Sequence, residues 1–158
     1  RPSIQRQMRA LGPDRGYAHY DRLRDERLTD PHHYNIFPNC SVTFGADSVL
    51  LQRMRPHPTD PQQCLFDHWT YVSLASIDHG LFEAGRGRQE FAGDAEVKTI
   101  DYGDASMGMI ADQDIGITTG QQLGLRSKGY RGAHLSDQET RISRFHQVID
   151  EYIAGQRT

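Results

Sequence analysis

From Pro31 onward the chain alternates. Tyr34, Ile36, Cys40, Val42 and Phe44 fall on one parity, and His33, Asn35, Asn39, Ser41 and Thr43 fall on the other. Period two over such a length marks a half-buried strand, because successive side chains of an extended chain leave on opposite faces. Pro38 has no N–H to give a ladder, so the strand is read as bulged or lying at a sheet edge there. Gly45-Ala46-Asp47 is a hairpin-type turn. Ser48 to Arg55 reads as a second strand, the proline-rich run Pro56 to Pro61 as a rigid loop, and Gln63 to Leu74 as a third strand rich in aromatic and β-branched residues. Short connections between three strands predict an antiparallel meander.

Residues 1–30 read as a helical and loop lead-in, and 31–158 as the main body. The lead-in mixes arginines with acids, is interrupted at Gly12-Pro13, and shows few apolar anchors between Tyr17 and Leu28. Gly80, Gly85, Gly87 and Gly93 mark 78–94 as a surface loop, after which Ala95 to Tyr102 reads as a short further strand. Ile110 to Leu125 reads as a helix containing Gly116, Gly120 and Gly124. Each glycine costs roughly 1 kcal/mol against alanine, a cost that close packing or a nearby ligand would explain. The last helix is the most sharply punctuated element. Ser136-Asp137-Gln138-Glu139 is a capping box, Ile142, Phe145, Ile149, Tyr152 and Ile153 recur on one stripe, and Gly155 supplies a stop. The pattern is α+β, a curved antiparallel sheet with a long C-terminal helix laid across it.

The chain has 158 residues, 36% of them hydrophobic and 25% charged, enough for one domain with a core and unlike a disordered composition. A net charge of -3 argues against nucleic acid or an anionic membrane as a partner. No run of eighteen apolar residues and no charged-then-apolar start is present, which predicts no membrane span, no signal peptide and a cytoplasmic location. The start at Arg1 rather than Met leads us to expect a piece of a longer protein. Cys40 and Cys64 are expected to stay reduced. The eight histidines form no His-x4-His pair, and no Cys-x-His pair of a Rieske cluster is present. His32 and His33 would point to opposite faces of a strand. His68 and Trp69 read as structural strand residues, and His146 as packing beside the last helix's stripe. Asp112 and Asp114 stand near the start of the Ile110–Leu125 helix, where either serves as an ordinary N-terminal cap.

Two motifs go further. Tyr34-Asn35-Ile36-Phe37-Pro38-Asn39, then Asp114-Ile115-Gly116-Ile117-Thr118-Thr119-Gly120-Gln121 running into Gln122-Leu123-Gly124-Leu125-Arg126-Ser127 ahead of the C-terminal helix, resemble the C-terminal part of the catalytic domain of Rieske-type aromatic-ring-hydroxylating oxygenase α subunits. The resemblance spans roughly Pro31 to Gly155. It implies a helix-grip fold (START/Bet v1-like) and activation of O2 at mononuclear Fe(II), inserting oxygen into an aromatic or related organic substrate. In that family an acidic pair precedes a helix ending in a Gln-x-Gly-Leu-x-Ser turn, and the second acid binds iron. Asp114 takes that position, with Gln113 standing where the first acid usually is. Asp112 is the alternative, fitting branches with a longer segment. Asn39, Ser41 and Thr43 are the implied substrate-pocket residues. Two histidine ligands are expected outside this chain, as is a [2Fe-2S] cluster in an N-terminal domain. Electrons would come from NAD(P)H through a reductase or ferredoxin, and the assembly would be a homotrimer. Two other readings stand beside this one: a helix-grip domain that binds apolar small molecules without a metal, and a non-catalytic interaction segment without a cavity.

Overall fold

The computed structural model describes residues 1–73 and 97–157. It forms two compact units, Arg1–Ala105 and Ser106–Thr158. The first opens with helix α1 (Pro2–Leu11), where Pro2 sits at a position whose N–H would have no intrahelical partner. Single 3₁₀ turns follow at Pro13–Arg15 and Ala18–Arg22, then the short helix α2 (Asp25–Thr29). Tyr17, Tyr20 and Leu28 bury one another, with Met8, Leu23 and Ala46 packed around them. The Tyr17 and Tyr20 rings stack with centroids 4.9 Å apart. The stretch that looked poor in anchors therefore carries the unit's buried aromatic cluster. Polar side chains around these three are hydrogen-bonded. Buried Gln5 donates to Asp25 O at 2.8 Å and to Thr29 Oγ1 at 3.1 Å. Arg9 donates to Tyr20 O, Leu23 O and the Asp25 carboxylate at 2.8, 2.7 and 2.6 Å. The same region is tied to the sheet at one turn. His19 Nε2 lies 3.0 Å from Ala46 O, and the Tyr20 hydroxyl donates to Asp47 Oδ2 at 3.5 Å. Burial, reinforced by the Asp47 carboxylate, pushes the Tyr20 hydroxyl well above its ordinary pKa.

Four strands, β1 (His32–Ile36), β2 (Cys40–Phe44), β3 (Ser48–Pro56) and β4 (Cys64–Val72), make an antiparallel sheet in the order β1-β2-β3-β4. The single strand expected across Pro38 is instead a hairpin. Ile36 pairs with Cys40, leaving Phe37-Pro38-Asn39 as a three-residue reversal with a cis Phe37–Pro38 bond. Asn39 latches that turn onto β3: its Nδ2 donates to Met54 O at 2.8 Å and its carbonyl accepts the Met54 N–H at 2.9 Å. The expected turn at 45–47 is present, closed by Gly45 N–H on Ser48 O at 2.9 Å. The Pro56–Pro61 loop is held from inside. His57 Nδ1 accepts the Thr59 and Asp60 N–H groups at 3.4 and 3.1 Å, and Asp60 accepts from Gln62 N and Gln63 Nε2, both at 2.8 Å. Leu74, the 78–94 loop, Ala95 and Glu96 lie outside the described residues. Val97 to Tyr102 forms no strand, which corrects the expectation for the described part of that run. Both cysteines are free thiols, Cys40 opposite Arg53 and Cys64 opposite Pro56 in the ladders.

The second unit comprises helix α3 (Met109–Leu125), a 3₁₀ turn at Asp137–Glu139 and helix α4 (Thr140–Ile153). The capping box is present, with Ser136 N–H donating to Glu139 Oε2 at 2.6 Å. That backbone N–H, helped by the Ser136 hydroxyl, holds the Glu139 carboxyl below its usual range. A lowered folded-state value means the charged cap stabilises above the ordinary carboxylate range and fades as pH falls through it. Thermal unfolding followed by circular dichroism should therefore separate Glu139→Gln from the wild type at neutral pH, and the two should converge in acid. Gly155, at φ 68°, ends α4 in the left-handed region where glycine is favoured. Phe145 and Ile149 are half-buried, Ile142 and Tyr152 are exposed, and His146 is exposed with its ring edge-on to Phe145. No helix among the described residues is long and apolar enough to cross a membrane.

Candidate functional site

Helix α3 begins in a closed hydrogen-bonded box. Gly108 adopts φ 102°, accessible to glycine and strained for other residues. Its carbonyl accepts the Asp112 N–H at 2.9 Å, the first bond of the helix. The Asp112 side chain turns back over this start. Oδ2 accepts the Ser106 hydroxyl at 2.5 Å and Oδ1 accepts the Met107 N–H at 2.7 Å, while Ser106 Oγ accepts the Gly108 N–H at 3.1 Å. A carboxylate here also complements the positive end of the helix dipole. Asp114 is different. It is exposed, and its carboxylate has no hydrogen bond or ion pair among the described residues. Two helical residues are about 200° apart around the axis, so the two aspartates face nearly opposite sides of α3.

The far end of α3 follows the motif. Arg126 and Ser127 N–H groups return to Leu123 O and Gly124 O at 3.2 and 3.0 Å, and the Ser127 hydroxyl and carbonyl accept the Gly129 and Tyr130 N–H groups. Gly116, Gly120 and Gly124 lie at helical spacing on one face, and a Cβ on any of them would meet no atom within 4 Å. Close packing, one of the two reasons offered for their cost, is not met among the described residues.

In the sheet, register places Ser41 and Thr43 on one face with His33, Asn35, Gln52 and His68. Ser41 is buried and donates to Gln52 Oε1 at 3.1 Å, and Thr43 Oγ1 lies 2.8 Å from His33 Nδ1. Asn39 sits in the hairpin turn with its amide committed to β3. The structure thus brings Ser41 and Thr43 together and assigns Asn39 a latch. An open hollow of about 250 Å³ lies by α1, walled by Ile4, Met8, Leu11, Tyr17, Tyr20 and Asp47 among others. None of the five residues singled out from the sequence lines it.

The opposite sheet face holds a cluster that sequence reading missed. Asp67 accepts a bidentate pair from Arg55 at 2.6 and 2.8 Å and a further bond from Arg53 Nε at 2.9 Å, and the Arg53 guanidinium lies 5.3 Å from the Trp69 ring centroid. Arg55, with Arg53 behind it, lowers the Asp67 carboxyl to about 2, and the same pairing raises Arg55. The only signal was the Arg-x-Arg spacing of β3, which becomes an ion-pair cluster once register sets Asp67 opposite Arg53. Because the folded-state value is depressed, the stabilisation is complete above the ordinary range and fades as pH drops from about 4 to about 2. An NMR titration should place the Asp67 midpoint at about 2, and Arg55→Ala should move it upward.

Residues 3–155 match the family model for the ring hydroxylating alpha subunit (catalytic domain), and the chain belongs to that family. It is therefore an oxidoreductase chain of Rieske-type oxygenase kind. Searches of curated proteins and of solved structures each returned no match. Among the described residues no three His, Cys, Asp or Glu side chains converge to hold a metal ion. A mononuclear iron centre needs three protein donors on one side and open positions on the other, and the described residues do not bring three together. Of the two aspartates near the start of α3, Asp112 is hydrogen-bonded and Asp114 has no partner among the described residues.

Proposed function

We propose that this chain supplies the carboxylate corner of a mononuclear Fe(II) centre through Asp114, in a Rieske-type oxygenase that hydroxylates an aromatic or related organic substrate. The single observation supporting this is that Asp114 stands uncommitted near the start of α3, the helix that ends in the Gln122–Ser127 turn. Two imidazoles from residues outside this chain complete the donor set. Bound ferrous iron supplies the O2 activation that hydroxylation needs. The chain's own groups hold and orient. Asp114 offsets one unit of the metal's charge, and the Ser41 and Thr43 hydroxyls, fixed by Gln52 and His33, give a polar row on one sheet face against which a substrate is aligned. In this reading 31–158 is the C-terminal part of a catalytic domain of helix-grip class, and residues 1–30 lead into it. A [2Fe-2S] cluster in an N-terminal domain delivers electrons from NAD(P)H by way of a reductase or ferredoxin, and the assembly is a homotrimer.

The test is metal analysis of the chain alone and of the chain assembled with a histidine-bearing catalytic segment. One iron per assembled domain and no tight iron in the isolated chain is the expected result. Substrate binding that persists at full strength in a metal-free assembly incapable of turnover would favour a small-molecule binding domain instead.

A further inference from the structure

We infer that the 56–61 loop, which joins β3 to β4, is a proton-sensitive clasp closed by the neutral form of His57. The Nδ1 atom of His57 accepts two main-chain N–H groups, Thr59 at 3.4 Å and Asp60 at 3.1 Å. A main-chain N–H can only donate, so Nδ1 is bare and the ring proton sits on Nε2. A second proton turns Nδ1 into a donor facing two donors, and both bonds are lost. Histidine is the side chain that ordinarily changes charge near neutral pH. The His57 backbone is held separately. Its N–H donates to Gln63 O at 3.3 Å, and Pro58 after it restricts it to extended conformations. The ring is therefore the part free to move. The second half of the loop closes without the imidazole. Asp60 accepts Gln62 N–H and Gln63 Nε2, both at 2.8 Å, and its carbonyl accepts Gln63 N–H at 3.1 Å. The other ionisable groups of the loop and of the strand ends it joins are Asp60, Cys64 and Arg55, the last bound to Asp67. Protonation of His57 thus frees the Thr59 and Asp60 N–H groups and leaves the Gln62 side in place. One side of the connection loosens between the two strands whose register sets Asp67 opposite Arg53.

Amide hydrogen exchange of the chain, followed by NMR across the titration of the His57 ring, tests this. The ring's own signals give the midpoint, and each rate is divided by that of an unfolded amide at the same pH. Protection at Asp60 and Thr59 should fall about 2- to 10-fold as the ring is protonated, the range for one ordinary hydrogen bond, while protection at Gln62 holds. His57→Asn should stay protected on both sides of the midpoint, because its Oδ1 stands as many bonds from the backbone as Nδ1 and accepts without titrating. His57→Ala should show the low protection at every pH. Protection at Asp60 that ignores the titration of the ring would overturn the inference. So would His57→Asn losing protection at the same pH as the wild type, since another group would then be the one titrating. Full protection retained in His57→Ala would overturn it as well.

Discussion

Asp114→Ala is expected to leave the assembled oxygenase nearly free of mononuclear iron, and to lower hydroxylation by more than the 10–100-fold typical of losing a residue behind the ligands, that is by about a hundredfold or more. The same substitution should hardly alter folding. Asp114 is exposed and bonded to nothing among the described residues, and surface changes of that kind stay within about 0.5 kcal/mol. The combination is the diagnostic part. A group that builds structure would lose stability along with activity, whereas a group held ready for a metal loses activity alone. Metal analysis, a turnover assay and a urea melt on the same preparation give the three readings, and retained iron would refute the assignment.

Gly12→Ala should be the most damaging conservative change in the first unit, at about 2–3 kcal/mol, the upper range for forcing an extra carbon into filled space. A Cβ there would lie 2.5 Å from Met8 O and 2.6 Å from Tyr20 Cδ2. Neither neighbour can step aside. The Met8 carbonyl is backbone, already bonded to Gly12 N–H at 2.8 Å, and the Tyr20 ring is buried, stacked on Tyr17 and tied to Asp47. Gly45→Ala is the internal comparison. Its Cβ would meet Ser48 Oγ at 2.9 Å, the end of a side chain that can rotate, so its cost should be smaller. Urea unfolding of both variants checks the order, and equal midpoints would refute the close approach.

The pair Ile36 and Cys40 explains what the sequence could convey about the sheet and what it could not. Their positions have the same parity, as do all partners in the β1–β2 ladder. The division into two faces was therefore legible from alternation alone, while the reversal between them was invisible, because one long strand and this hairpin yield the same pattern. The capping box at Ser136 was legible because all its parts are local. Tyr17, Tyr20 and Leu28 were not, since Tyr17 precedes the 3₁₀ turn that holds Tyr20, Leu28 belongs to α2, and the three share no period. For α3, residue chemistry left both aspartates as candidate caps, and the structure turns Asp112 back onto Ser106 and Met107, ahead of the helix. The Arg53–Asp67–Arg55 cluster needed a register that no local pattern states.

The three-residue turn at 37–39 has a consequence for how this stretch can change in length over time. A one-residue change there that shifts the ladder register would swap the two faces of β1, turning Tyr34 and Ile36 away from Val42 and Cys40. Steps of two would preserve the pairing of faces. Descendants of this chain should accordingly tolerate substitutions at Phe37 far better than single-codon insertions beside it. A one-residue indel at that spot in a relative would have to be balanced by a second nearby.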